Sequence, residues 1–321
     1  MGIIIPVNQK VLSLLYLLGV YLFVFGLVML GGSALIMYTS MHYLLVVLLM
    51  DVTATIFIYL VGLKKRTPSI YDPYWSVQTW FFMLFLLIMY RNWNVGTLLV
   101  FFVLTFYSVR LTANFCLGFN DLSYVDWRYR MLKQKSGKAF QLVNFFGINM
   151  MPTLLVYLAS VPFFLYSVES QFHPLDLIAL LGMTGAVVIE LLADAQMRAW
   201  IKNRKDRAEV INVGLWNYSR HPNYLGEISF WVFGSLLILP RLIQGLSEWY
   251  WLLGGVAMVL LFAFISIPMI ERNFASYKPA YADYKKRVSC LLLWPPKRMK
   301  KNENPAQKPA DLENEAVEEP R

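Results

Sequence analysis

Stretches of about 18 or more residues with almost no charge recur along this chain, each long enough to cross a hydrocarbon layer about 30 Å thick as a helix. Eight such runs are read, at roughly 11–38, 42–63, 76–90, 95–117, 143–168, 175–195, 224–239 and 249–270. Of 321 residues, 58% are hydrophobic and only 15% are charged, against about 25% charged in an ordinary soluble domain, which excludes a water-soluble fold. Backbone groups in lipid have to be paired internally, and the short alternating segments of a transmembrane barrel are absent. The expectation is an all-α, polytopic transmembrane helical bundle of about eight spans.

The charges test that count. With the N-terminus in the cytoplasm, every Lys and Arg except Arg91, Arg110 and Arg241 falls into an inside segment: Lys10, Lys64 to Arg66, Arg128 to Lys138, Arg198 to Arg220, and Arg272 onward. That asymmetry is what the positive-inside rule requires, and it places both termini in the cytoplasm after an even number of spans. It also accounts for the net charge of +9 without nucleic acid. The first run is longer than the apolar region of a signal peptide and reads as a retained anchor. From Met299 the chain is rich in Pro, Glu and Asn and nearly free of apolar residues, so residues 299–321 read as a disordered cytoplasmic tail behind a single integral membrane domain, 1–298.

Several chemistries are excluded early. Cys116 and Cys290 show no ligand spacing, and the three histidines, His42, His173 and His221, are too few for a clustered di-iron site. No metal is expected. Neither GxGxxG nor GxxxxGK[ST] occurs, so any nucleotide is held by the bundle itself.

Ionisable residues inside apolar spans are costly and so point to sites or helix pairing. Asp51, beside Thr53 and Thr55, reads equally well as a buried helix–helix hydrogen bond and is left outside the candidate site. Tyr107, Arg110 and Asn114 share one face of the fourth span. Glu190, Asp194 and Arg198 form an i, i+4, i+8 stripe; an Asp194–Arg198 pair leaves Glu190 alone in lipid unless it faces a polar cavity. Asp126, Arg128 and Tyr129 lie in the loop string VDWRYR, whose composition also suits a membrane interface. The strongest segment is GLWNYSRHPNYLGE, Gly214 to Glu227. Pro222 suits a first helical turn, Asn223 and Glu227 share a face, and Arg220 and His221 sit at the helix mouth, where anions are favoured. Together with Tyr224 and with Glu271, Arg272 and Asn273 further on, these residues suggest a pocket for a phosphorylated cofactor.

These elements resemble the steroid 5-alpha-reductase-like membrane proteins, in particular the DUF1295 branch. The resemblance runs from Asp72 to about Lys297 and rests on YDPYWS, Arg110 with Asn114, DWRY, DAQ, GLWNYSRHPNYLGE and IERN…YADYKKRVSCLLLWPPK. It implies a bundle that takes NADPH from the cytoplasm and a lipidic conjugated alkene, such as a steroid, polyprenyl or enoyl compound, from the bilayer. It implies Asp72 and Tyr107 as the catalytic acid and tyrosine. It implies cofactor contacts at Arg110, Asn114, Asp126, Arg128, Tyr129, Asp194, Arg198, Arg220, His221, Asn223, Tyr224, Glu227, Glu271, Arg272 and Asn273. The rival enzyme class is an S-adenosylmethionine-dependent isoprenylcysteine or phospholipid methyltransferase, which shares an RHPxYxG element but lacks YDPYWS, DWRY and DAQ. A lipid-binding or scaffold protein on the same fold is the non-enzymatic reading. The membrane is that of a bacterium or of the endoplasmic reticulum.

Overall fold

The computed structural model describes residues 7–245 and 249–298, so the tail read as disordered, 299–321, lies outside the described residues. Those residues form helices and no strand: α1 Val7–Tyr38, α2 Tyr43–Lys65, α3 Tyr74–Tyr90, α4 Val95–Gly118, α5 Trp127–Ser136, α6 Phe140–Leu142, α7 Met151–Glu169, α8 Asp176–Asn203, α9 Pro222–Ser235, α10 Leu239–Ile243, α11 Leu253–Leu261, α12 Ile267–Tyr277 and α13 Tyr281–Arg287. Several join end to end, and among the described residues seven of the resulting rods are long and apolar enough to cross a membrane. Helix α3 is an eighth apolar rod, 17 residues or about 25 Å long. The all-α polytopic bundle is therefore the observed fold.

Hydrogen bonds between loops sort the two ends of the bundle. At one end, Lys10 donates to the Leu117 carbonyl, Thr67 to the Tyr124 carbonyl, and the Asp126 amide to Ser69. At the other, Asn92 and Asn94 donate to the Ser170 carbonyl, and Arg241 pairs with Glu169 at 2.8 Å. The first end gathers the basic loops, so alternate loops do fall on alternate sides, as the charge pattern required.

Two stretches widen locally into π-helix, Val143–Met150 and Phe262–Ser266. Each lies just before a proline, Pro152 or Pro268. A proline ring clashes with the carbonyl four residues back, and an extra residue in the turn relieves that clash. At the first bulge the Asn149 side chain donates to the Asn144 carbonyl at 2.8 Å.

Apolar packing divides the bundle into two regions. One joins α1, α2, α3 and α7 around Phe25, Tyr74 and Phe82; the other joins α4, α7, α8 and α9 around Tyr107, Phe163, Phe230 and Trp231. Inside the first, Asp51 accepts from Tyr74 at 2.5 Å and from Gln78 at 3.3 Å, while Thr153 joins Thr55 and Tyr71. Asp51 is thus hydrogen-bonded across α2 and α3.

Helices α8 and α9 share the most extensive contact of any helix pair among the described residues, and it determines the site. A Cβ at Gly226 would stand 2.2 Å from the Glu190 Cγ and 2.8 Å from the Ala186 carbonyl oxygen. Only glycine permits that approach, and the approach sets Glu190 beside Glu227. Gly226→Ala is expected to destabilise the bundle by about 1–3 kcal/mol through overpacking, read as a lowered melting temperature in detergent; an unchanged melting temperature would show that α8 and α9 can separate freely.

Candidate functional site

Helix α4 carries Arg110 to the meeting point of α8 and α9, where three carboxylates surround it. Its guanidinium lies 2.9 Å from Asp194, 3.0 Å from Glu190 and 3.7 Å from Glu227. One turn earlier, the Tyr107 hydroxyl donates to Glu227 at 2.6 Å, and the Trp231 indole donates to the same oxygen at 2.9 Å. The Tyr107 ring lies flat on Phe230, centroids 3.9 Å apart. All of these groups are buried. One guanidinium does not neutralise three carboxylates, so the balance falls to protons or to a bound group. The cluster also leaves hydrogen-bonding capacity unused: the Arg110 Nε and both Glu190 oxygens are buried without a hydrogen bond, the Glu190–Arg110 contact being an ion pair of poor alignment.

The stripe on α8 is real but its pairing is not the intrahelical one. Asp194 turns to Arg110, and Arg198 donates instead to Asn114 on α4 at 2.9 Å. Crossing contacts win because α4 and α8 pack side by side and bring a full partner to each group.

A second cluster occupies the basic end. Tyr129 donates to Asp72, and Asp126 caps α5 by accepting from the Arg128 amide while holding the Arg128 side chain at 2.8 Å. A cleft of about 230 Å³ opens here, lined by Asp126, Trp127, Arg128, Tyr224, Ser266 and Met269. Asp72 and Tyr107, the two residues implied as catalytic, therefore sit in separate acid–tyrosine pairs, Asp72 with Tyr129 and Tyr107 with Glu227. Burial pushes the Asp72 carboxyl up to about 7, against the pull of Arg128 and the Tyr129 hydrogen bond. Between about pH 4 and 7 the folded chain then holds a proton that an unfolded aspartate has released, so stability falls as pH rises through that window and levels off above it. Asp72→Asn is expected to flatten the dependence, read as melting temperature against pH from 4 to 8. Parallel curves for the two proteins would remove Asp72 as the cause.

A third cluster ties the mouth of α9 to the C-terminal segment. The Arg220 Nε and Nη2 both reach Glu271 at 2.8 Å, and its Nη1 donates to the carbonyls of Lys285 and Val288. Lys285 takes the other Glu271 oxygen at 2.8 Å, and His221 approaches Glu271 at 3.3 Å. Burial lowers the His221 pKa, so the imidazole is neutral here. His221, Glu271 and Cys290 converge closely enough to hold a cation, but Glu271 already carries two cationic partners, and burial raises the Cys290 thiol away from the thiolate. A metal ion finds no ready site in that set. Arg220 and Glu271, expected at the cofactor, here brace one another. Tyr224 stacks on His221 at 5.5 Å and faces the cleft of the second cluster. Asn223 is partly buried, Arg272 exposed and Asn273 partly buried, and none of the three makes a side-chain hydrogen bond or ion pair recorded among the described residues.

Trp231 and Lys285 join these clusters without any motif in the sequence that marks them. Trp231 lies four residues after Glu227, a spacing that places both on one face; Lys285 had no signal beyond its position in a basic run.

The fold and these clusters define a polytopic helical membrane protein with a buried acid–tyrosine–arginine centre beneath its basic end. The chain belongs to the family described as "Protein of unknown function (DUF1295)", which matches residues 58–288. It is similar to a protein of Schizosaccharomyces pombe described as uncharacterized, 26% identical over 225 residues, covering 60% of this chain and 65% of that relative; the chain thus spans less than two thirds of the relative's length. No solved structure matches it.

Proposed function

We propose that this protein is a membrane-embedded, NAD(P)H-dependent reductase of a conjugated carbon–carbon double bond in a lipidic substrate. The observation that carries the reading is the Tyr107–Glu227 pair, a phenol hydrogen-bonded to a carboxylate at 2.6 Å in a buried site against Arg110. Reduction of an enone needs a donor that stabilises negative charge growing on the carbonyl oxygen, and such a donor is most effective where water is excluded. Turned from Glu227 towards a substrate carbonyl, the Tyr107 hydroxyl would supply that donor. Arg110 holds Glu227 and Glu190 in place while this happens.

The residues present fit a nicotinamide. A carboxamide both donates and accepts, and the Arg110 Nε and Glu190 oxygens are a buried donor and a buried acceptor pair left unused. Arg110 and Glu190 would hold the carboxamide, and a reduced nicotinamide so held would provide the hydride that reduction of the double bond requires. Exposed Arg128 and Arg198 stand nearer the basic end, where they would meet phosphates, with Arg128 on the open cleft. Arg220 is already occupied by Glu271 and two carbonyls, so its part is to shape the mouth of α9. On this reading the basic end faces the cytoplasm and the substrate enters from the bilayer.

The test is thermal stabilisation of detergent-purified protein by NADPH, NADH and S-adenosylmethionine in parallel, since a ligand selective for the native state raises its melting temperature by mass action. Stabilisation by a reduced nicotinamide cofactor, followed by its oxidation with a lipid enone, supports the reductase. Stabilisation by S-adenosylmethionine alone overturns it in favour of methyl transfer.

A further inference from the structure

Beyond the C-terminal end of α8 lies a cavity of about 220 Å³ walled by Trp200, Phe274, Tyr281 and Tyr284. It shares Arg204 and Tyr277 with a second hollow of about 330 Å³ that Arg207 also edges. The walls are aromatic and the charges are cationic. Lys278 is only 6% exposed; its Nζ donates to the Glu209 carbonyl at 2.6 Å and lies 5.2 Å from the ring centres of both Trp200 and Phe274. Arg204 lies 5.4 Å over Trp200. The two acids of this loop do not offset these cations by ion pairing: Glu209 accepts from the amides of Lys205 and Asp206, and Asp206 from that of Ala208. No ion pair is recorded among the described residues for Arg204, Arg207 or Lys278. An aromatic slot with surplus positive charge suits a planar ring carrying an anion.

Helix α8 connects this slot to the buried centre. Glu190, Asp194, Met197 and Ile201 follow at steps of four, three and four residues, which keeps them on one face. Met197 and Ile201 line the cavity, and Arg204 is the helix C-cap. From Glu190 to Arg204 the helix rises about 21 Å, a distance suited to an extended dinucleotide rather than to a single small ligand.

We propose that this cavity takes the adenosine end of NADPH, its aromatic walls holding the adenine while Arg204 and Arg207 grip the 2′-phosphate and select NADPH over NADH. The inference rests on the reductase reading. Guanidinium forks match phosphate oxygens two at a time, so an arginine pair, Arg207 exposed and Arg204 half-buried, confers a preference that a lysine pair would not.

The experiment measures binding by thermal shift and equilibrium titration, on the full chain in detergent, of NADPH, NADH and adenosine 2′,5′-bisphosphate. Wild type is expected to bind NADPH more tightly than NADH and to be stabilised by the bisphosphate alone. The double variant R204A/R207A is expected to lose about 10- to 100-fold in NADPH affinity with NADH affinity unchanged. Because Arg204 only caps α8 and Arg207 lies in the loop beyond it, the unliganded melting temperature should hold; if it does not, R207A alone, at an exposed residue, serves in its place. Equal affinity of variant and wild type for NADPH overturns the proposal, as does equal affinity of wild type for the two cofactors. Protection of wild type by phosphatidylglycerol micelles but not by the bisphosphate, lost in the variant, also overturns it, by assigning the cavity to a lipid headgroup. Failure of wild type to bind either cofactor overturns the reductase reading itself, an outcome distinct from a change confined to the variant.

Discussion

Tyr107→Phe is expected to lower the turnover of a lipid enone by about 10²- to 10³-fold, the range found when a donor to a developing oxyanion is removed, while NADPH affinity stays near its wild-type value. The substitution deletes one hydroxyl. It leaves the ring on Phe230 and the Trp231–Glu227 bond in place, so the fold and the carboxylate keep their support. A group that acts only in the transition state changes kcat more than binding. Turnover equal to wild type would remove Tyr107 from the chemistry and leave it as a helix-pairing hydrogen bond between α4 and α9.

Arg110→Leu is expected to cost more stability than any other single change in the bundle, about 3–5 kcal/mol, because breaking a buried ion pair leaves its partners uncompensated. Here the partners are Glu190, Asp194 and Glu227 together. The expected readout is loss of the folded peak in detergent gel filtration. Adding Glu190→Gln and Asp194→Asn should restore much of that loss, since the deleted cation then has fewer anions to answer for. If the triple variant is no better folded than Arg110→Leu alone, the damage comes from lost packing around the arginine stem rather than from charge.

The all-α polytopic bundle was legible because the length and apolar character of its rods are properties of the chain itself. The shared face of Tyr107 and Arg110 was legible for the same reason, as helical spacing fixes it. What a face meets is not written in its spacing. Asp194 and Arg198 looked like a pair along α8, yet each finds its partner on α4. Arg220 looked like an anion ligand at a helix mouth, but its partner Glu271 lies 51 residues on, brought near only by the return of the chain. Nor did spacing reveal that Asp72 meets Tyr129, because that contact joins the turn before α3 to helix α5, whose approach depends on the packing of α2, α3 and α4. The glycine at 226 carried a latent signal, a small residue beside an acid within a span, whose meaning emerged only once α8 lay against it.

The return of the chain has a consequence for biogenesis. Residues 288–297 come back to the mouth of α9: the Arg220 amide donates to the Ser289 carbonyl, the Ser219 hydroxyl to the Leu291 carbonyl, and the Lys297 amide to the Arg287 carbonyl. Synthesis runs from the N-terminus at about 5–20 residues per second, so the eight rods are all made before the segment that braces Arg220 leaves the ribosome. The bundle therefore passes through an inserted but unlatched stage, with Glu271 and Arg220 short of their last partners. A chain cut between Tyr281 and Lys285 would remain at that stage, lodged in the membrane yet lacking the clasp, and recognisable to quality-control proteases by its open basic end.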